Sequence, residues 1–307
     1  MTKPFCCIIV LIISYNRKER LMFAGFRNAH PVVFCVLFAA LVFAAAFGGT
    51  ALLHFALPGE AADLASRLLL PIVMLVCSAV LVRRLGPGYG SGGLLSPGVE
   101  PGGGRPPGYG RRLGRGFLAC TPAFAIAALN TWMTLASPDR APFQVPALLT
   151  LWVSAAHAIL TGFGEEALFR GAVLRVLLGT GEQRRKRLYR AALLSAALFA
   201  LAHSLNALEG APIADTVSQV LYSFQIGVLF AGIAVRFGTL WPCVVTHAAI
   251  NLTSLASLFR PWEDAPPSAL ADVLLTQAVM LPLLIVGLLL LRAASRAQQH
   301  AEQVANR

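Results

Sequence analysis

Long apolar stretches separated by short polar connections run along almost the whole chain. Those of spanning length cover 32–57, 64–85, 117–136, 145–178, 191–205, 213–237, 238–259 and 270–292. About 20 apolar residues in helical form cross the ~30 Å hydrocarbon core of a bilayer. A helix is favoured there because it satisfies its backbone polar groups within one segment. The pattern predicts an all-α, polytopic transmembrane bundle of about eight spans. Two stretches depart from the ideal length. The 191–205 stretch is short. The 145–178 stretch would reach ~51 Å as one helix at ~1.5 Å per residue, so it must tilt strongly or break. Gly162 and Gly164 are the expected break, because glycine weakens a helix interior. Near the N-terminus, 5–15 is apolar but too short to cross. Met22 is an alternative start, which would make that stretch spurious. Residues 1–31 are therefore set apart as an N-terminal segment, spurious or cytoplasmic. Residues 32–292 read as one transmembrane domain and 293–307 as a cytoplasmic tail.

The connections carry a charge alternation. Arg17, Lys18, Arg20 and Arg27 precede the first span, and Glu60 and Asp63 follow it. Arg83, Arg84, Arg105, Arg111, Arg112 and Arg115 come next, then Asp139 with Arg140. The most basic run is Arg184-Arg185-Lys186-Arg187 with Arg190, followed by Glu209 and Asp215. Arg236 sits in a tight turn, Arg260, Glu263 and Asp264 follow, and Arg292 and Arg296 come last. Lys and Arg concentrate in cytoplasmic loops, so this order predicts that both termini are cytoplasmic. The 86–116 connection is dominated by glycine and proline. It reads as a flexible cytoplasmic linker that cannot bury enough apolar surface to fold.

Composition agrees with a membrane protein. Of the 307 residues 57% are hydrophobic and 13% charged, with a mean hydropathy of +0.69. A soluble domain carries about twice that charged fraction. The net charge of +11 does not indicate nucleic acid, since the basic residues flank spans and no nucleic-acid-reading motif is present. Cys6, Cys7, Cys35, Cys77, Cys120 and Cys243 form no C-x-x-C pair. They read as small apolar residues. The abundance of Ala, Gly and Arg suggests a bacterial protein of the inner membrane.

Within the apolar stretches lie three polar motifs: Glu165-Glu166-x-x-x-Arg170, Phe199-x-x-x-His203 and His247-x-x-x-Asn251. Ionisable groups inside a membrane are costly and mark function. Each motif pairs residues four apart, on one helix face. Glu165 points about 100° away from Glu166. Measured from the expected cytoplasmic ends, Glu165, His203 and His247 lie ~20, ~18 and ~14 Å deep. Three helices thus bring polar groups to one level. Glu165 with His203 could deprotonate a water, and His247 with Asn251 could donate hydrogen bonds to an oxyanion. Glu166 with Arg170 would support the site. Alternatively, Glu165, His203 and His247 could ligate zinc, although H-E-x-x-H is absent. His54 and His157 read as structural.

The stretches 164–171, 199–203 and 241–251 resemble the three motifs of the CPBP family. That family groups type II CAAX prenyl endopeptidases with bacteriocin-processing and self-immunity membrane proteins. The resemblance covers about 145–258. It implies an all-helical intramembrane peptidase with a cavity open to the cytoplasm. In this reading Glu165 and His203 are the catalytic pair. His247 and Asn251 stand on the oxyanion or ligand side, and Phe199 belongs to the second motif. The expected partners are the lipid bilayer and a peptide, lipidated peptide or membrane-protein substrate. Either no cofactor is needed or one zinc ion. The alternative function is a non-catalytic immunity or scaffold protein of the same family.

Overall fold

A computed structural model describes residues 17–85, 89, 94–95, 108–180, 183–261 and 268–305. Cys6, Cys7, the 5–15 stretch, Arg105, Glu263 and Asp264 lie outside the described residues. Every element among those described is helical. α1 is Arg17–Ala29, and α2 is Pro31–Ala56, with proline in its first turn. α3 (Gly59–Arg84) runs back beside α2. α4 (Tyr109–Ala119) and α5 (Thr121–Ala136) meet at a 43° bend. α6 (Leu148–Glu166) continues through a π-helical turn, Ala167–Val173, into Leu174–Leu178. Gly179, with φ +71°, ends it. α7 (Gln183–Ala202) tightens into a 3₁₀ turn, His203–Ala207. α8 (Ile213–Phe237) stops at Gly238, whose φ of +71° favours glycine. α9 (Trp241–Leu252) continues through short turns to Phe259. α10 is Leu270–Ala305.

Six of these helices are long and apolar enough to cross a membrane, and the bent α4–α5 pair makes seven. The protein is thus an integral multi-pass membrane protein. The short 191–205 stretch is longer than its apolar run suggested, since the span begins at Arg187 and ends at Ala207. The stretch 145–178, expected as a further span, is less apolar than those helices, although α6 and its continuation still run from one end of the bundle to the other. Its apolar character is diluted by the residues of the first motif and interrupted by the π turn. Nor does it break at Gly162 and Gly164, where α6 is continuous. Those glycines serve close packing. A Cβ on Gly162 would lie 2.7 Å from the Ala248 nitrogen of α9, and one on Gly164 2.7 Å from the Pro71 oxygen of α3.

α8 is the centre of the bundle. Of its apolar window 72% is buried, against 17% for α10, which packs along it. Gly232 and Gly287 let these two backbones approach closely. α6 lies between α3 and α9. Proline 71 inside α3 has no N–H, so the Arg67 carbonyl one turn earlier lacks its helical donor. His157 of α6 supplies one, with Nδ1 2.6 Å from that oxygen. His54 joins α2 to α3, contacting the Thr50 carbonyl and Asp63. Cys35, Cys120 and Cys243 are buried free thiols that donate to backbone carbonyls.

The helices alternate in direction, so the bundle has two ends. At one, Ala141 and Gln144 donate backbone bonds to Pro261 and Phe259, and Asp215 accepts from the Ser268 nitrogen. Arg260 clamps the same connection by donating to the carbonyls of Leu135, Ser137, Arg140 and Ala141. This end carries Glu60, Asp63, Asp139, Glu209, Asp215 and Asp272, and is called the acidic end. The opposite, basic end holds α1, α4, Gly179, the start of α7 and the tail of α10. Parts of the expected flexible linker are anchored there. Tyr89 is buried, donates to Asn28 and lies under the Arg27 guanidinium. Leu95 packs on the core and accepts from the Leu240 nitrogen, while Leu94 covers Gly171. The rest of 86–107 lies outside the described residues.

Candidate active site

The crossing of α6 and α9 at Gly162 creates the site. With no side chain at Gly162, the α9 backbone comes against α6 one turn before Glu166 and one residue from His247. Asn251 strengthens the crossing, its Nδ2 3.4 Å from the Ala158 oxygen. The π turn then sets the far side. A π turn adds a residue to the helical repeat and occurs often at functional sites. Here the Phe169 carbonyl accepts from the Leu174 N–H and from Ser195 Oγ at 2.8 Å. That ties α6 to α7.

Glu166 and Arg170 are wholly buried and joined at 2.9 Å between Oε1 and NH1. The same Glu166 oxygen lies 2.9 Å from His247 Nδ1. The other ring nitrogen, Nε2, lies 3.2 Å from Glu165 Oε2. His247 is therefore held between two adjacent carboxylates. Glu166 Oε1 already accepts from Arg170, so Nδ1 donates in its contact. One proton then lies between Nε2 and the Glu165 carboxylate, on whichever atom holds it, because a carboxylate without a proton cannot donate. This contact of Glu166 with His247 was not foreseen from the sequence, where Glu166 was paired with Arg170 alone. The signal was present in the adjacency of the two glutamates, but which of them meets α9 depends on the rotation of α6.

Phe199 is the platform beneath these groups. The Arg170 guanidinium lies 4.3 Å from its ring centre. The His203 and His247 rings meet it edge-on at 5.0 and 5.7 Å. His203 Nδ1 is 3.0 Å from the Phe199 oxygen, one turn back. A carbonyl only accepts, so Nδ1 carries the hydrogen, and Nε2 of the neutral ring is left as an acceptor. Gly227 of α8 leaves room for the guanidinium, since a Cβ there would lie 3.3 Å from Arg170 NH2 and 2.9 Å from the Ala196 Cβ.

Glu165, His203, His247 and Asn251 line one cavity of about 1000 Å³. Glu166 and Arg170 lie behind its wall, and Phe199 is buried beneath it. All seven sequence-selected residues are thus in or against one site. The zinc arrangement fits poorly. Among the described residues no three His, Cys, Asp or Glu side chains stand together as a metal's ligands. Both nitrogens of His247 face carboxylates.

The cavity lining includes the exposed Arg67 and Glu209 and the half-buried Asp215 and Ser268. These lie at the acidic end. Its wall uses α2 from 43 to 50, α3 from 66 to 74, α8 from 215 to 226 and α10 from 276 to 283. In each case that is the half of the helix nearer the acidic end.

Residues 147–253 match the family model of type II CAAX prenyl endopeptidase Rce1-like proteins. No curated protein and no solved structure matches the chain.

Proposed function

We propose, from the place of residues 147–253 in the type II CAAX prenyl endopeptidase Rce1-like family, that the chain is an intramembrane endopeptidase. It hydrolyses a peptide bond of a membrane-associated or lipidated peptide or protein, in a bacterial inner membrane. The observation that carries this reading is the convergence of Glu165, His203, His247 and Asn251 on one cavity inside the bundle.

Water held between Glu165 and the acceptor nitrogen of His203 is the nucleophile. Glu165 takes its proton as the oxygen attacks the peptide carbonyl. A neutral Glu165 no longer holds the N–H of His247 as an ionised carboxylate does. That N–H is then free to donate to the developing oxyanion, while Glu166 keeps the ring in place through Nδ1. Asn251, whose contact with Ala158 is long, supplies a second donor. Glu165 then passes its proton to the leaving amine, and the two peptide fragments separate. Arg170 balances the charge of Glu166. No step is routed through a metal.

The test compares peptide termini in membrane and secreted proteins of cells making wild type or Glu165→Gln at equal levels. Termini found with wild type only support proteolysis and identify substrates. Identical termini, with the cellular phenotype kept in the variant, would favour a non-catalytic immunity or scaffold role.

A further inference from the structure

Access to the site is set by which end of the bundle faces the cytoplasm. At the basic end the described residues include Arg27, Arg83, Arg84, Arg111, Arg112 and Arg115. On the acidic end the described basic side chains are Arg67, Arg140 and Arg260. Arg140 and Arg260 are committed to structure, donating to backbone carbonyls that lock 137–147 onto the end of α9. The asymmetry is large, and Lys and Arg near span ends determine orientation whereas acidic residues contribute little. The basic end therefore belongs in the cytoplasm.

The cavity lies in the part of the bundle nearer the opposite end, and among the described residues close contacts at the basic end lie over it. Leu94 lies on Gly171, Leu95 is bonded to Leu240, and Gly116 packs directly on Pro242 at the start of α9. Phe163 meets Trp241 edge-on between them and the site. We propose that substrate enters from the non-cytoplasmic side, so that the bonds cut lie in peptide segments exposed on, or entering from, the outer face of the membrane. The resemblance to CAAX endopeptidases implied a mouth facing the cytoplasm, and charge and cavity together reverse that expectation. Substrates are then exported or membrane-anchored proteins, not the C-termini of prenylated cytoplasmic ones. Toward the acidic end the cavity lining includes Glu209 and Asp215 against Arg67. It suits segments that are neutral or basic.

The substrate claim rests on the peptidase reading; the sidedness does not. Spheroplasts of cells making the full chain with Glu209→Cys or Arg111→Cys are treated with a membrane-impermeant maleimide, before and after permeabilisation. The parent chain gives the background. The expected result is full labelling of Glu209→Cys in intact spheroplasts, and labelling of Arg111→Cys only after permeabilisation. The reverse pattern overturns the proposal. Asp139→Cys, exposed at the acidic end, decides the matter if Glu209→Cys reacts under neither condition. Wild-type-dependent termini should fall in non-cytoplasmic segments, and cuts confined to cytoplasmic segments would overturn the substrate class. If no termini depend on Glu165, the peptidase reading fails while the labelling still reports the side of the mouth.

Discussion

Replacing Arg170 with methionine should destabilise the protein far more than a surface change, and a second substitution should restore much of the loss. Arg170 and Glu166 are both fully buried and meet at 2.9 Å. Methionine fills part of the space but leaves Glu166 with His247 as its remaining hydrogen-bond donor. Breaking a buried ion pair by removing one member costs ~3–5 kcal/mol, because the other charge stays in a poor solvent. The stacking of the guanidinium on Phe199 at 4.3 Å adds up to ~2 kcal/mol when desolvated. Glu166→Gln alone should also destabilise, since it strands Arg170. The double variant carries neither charge, so its loss should fall short of the summed single losses by roughly 1–3 kcal/mol. The assay is thermal unfolding of detergent-purified protein, read by loss of the monodisperse peak, for wild type, both singles and the double. Strict additivity would refute the pairing argument. An Arg170→Met variant that melts like wild type would refute the stability argument altogether.

Gly162→Ala should cost about 1–3 kcal/mol as overpacking, since its Cβ would lie 2.7 Å from backbone at Ala248. It should also lower cleavage by parting His247 from Glu165; a variant with wild-type melting and activity would remove the glycine from the site's design. His203→Gln should fold normally, and its turnover should fall by roughly 10²–10⁴, the range for loss of an acid–base group. Unchanged turnover would sink its role. Cleavage by purified enzyme should survive prolonged chelation, and loss restored by added zinc would overturn the metal-free mechanism. Ser195→Ala removes a buried bond to the Phe169 carbonyl and should cost about 1–3 kcal/mol; equal melting would mean that the π turn needs no such support.

Much of this protein is written along its chain. Hydropathy is summed over consecutive residues, so α2, α3 and α8 follow their apolar stretches closely, and α10 begins where its stretch does but continues to Ala305. The seven site residues stood out because charged and polar side chains are rare in such stretches. What depends on the rotation and crossing of helices could not be read that way. Glu165 and Glu166 are neighbours in sequence, yet one faces the cavity and the other lies buried with Arg170, while both meet His247. Gly162 and Gly164 looked like weak points in one helix because a single chain segment shows their missing side chains but not the α9 and α3 backbones that use the space. The π turn and the seating of Leu94 and Leu95 likewise come from contacts between distant segments. Local sequence thus determined that a set of ionisable and polar groups lies inside a membrane bundle. The tertiary structure decided which groups touch and toward which end the cavity lies, because those are distances between segments far apart in the chain.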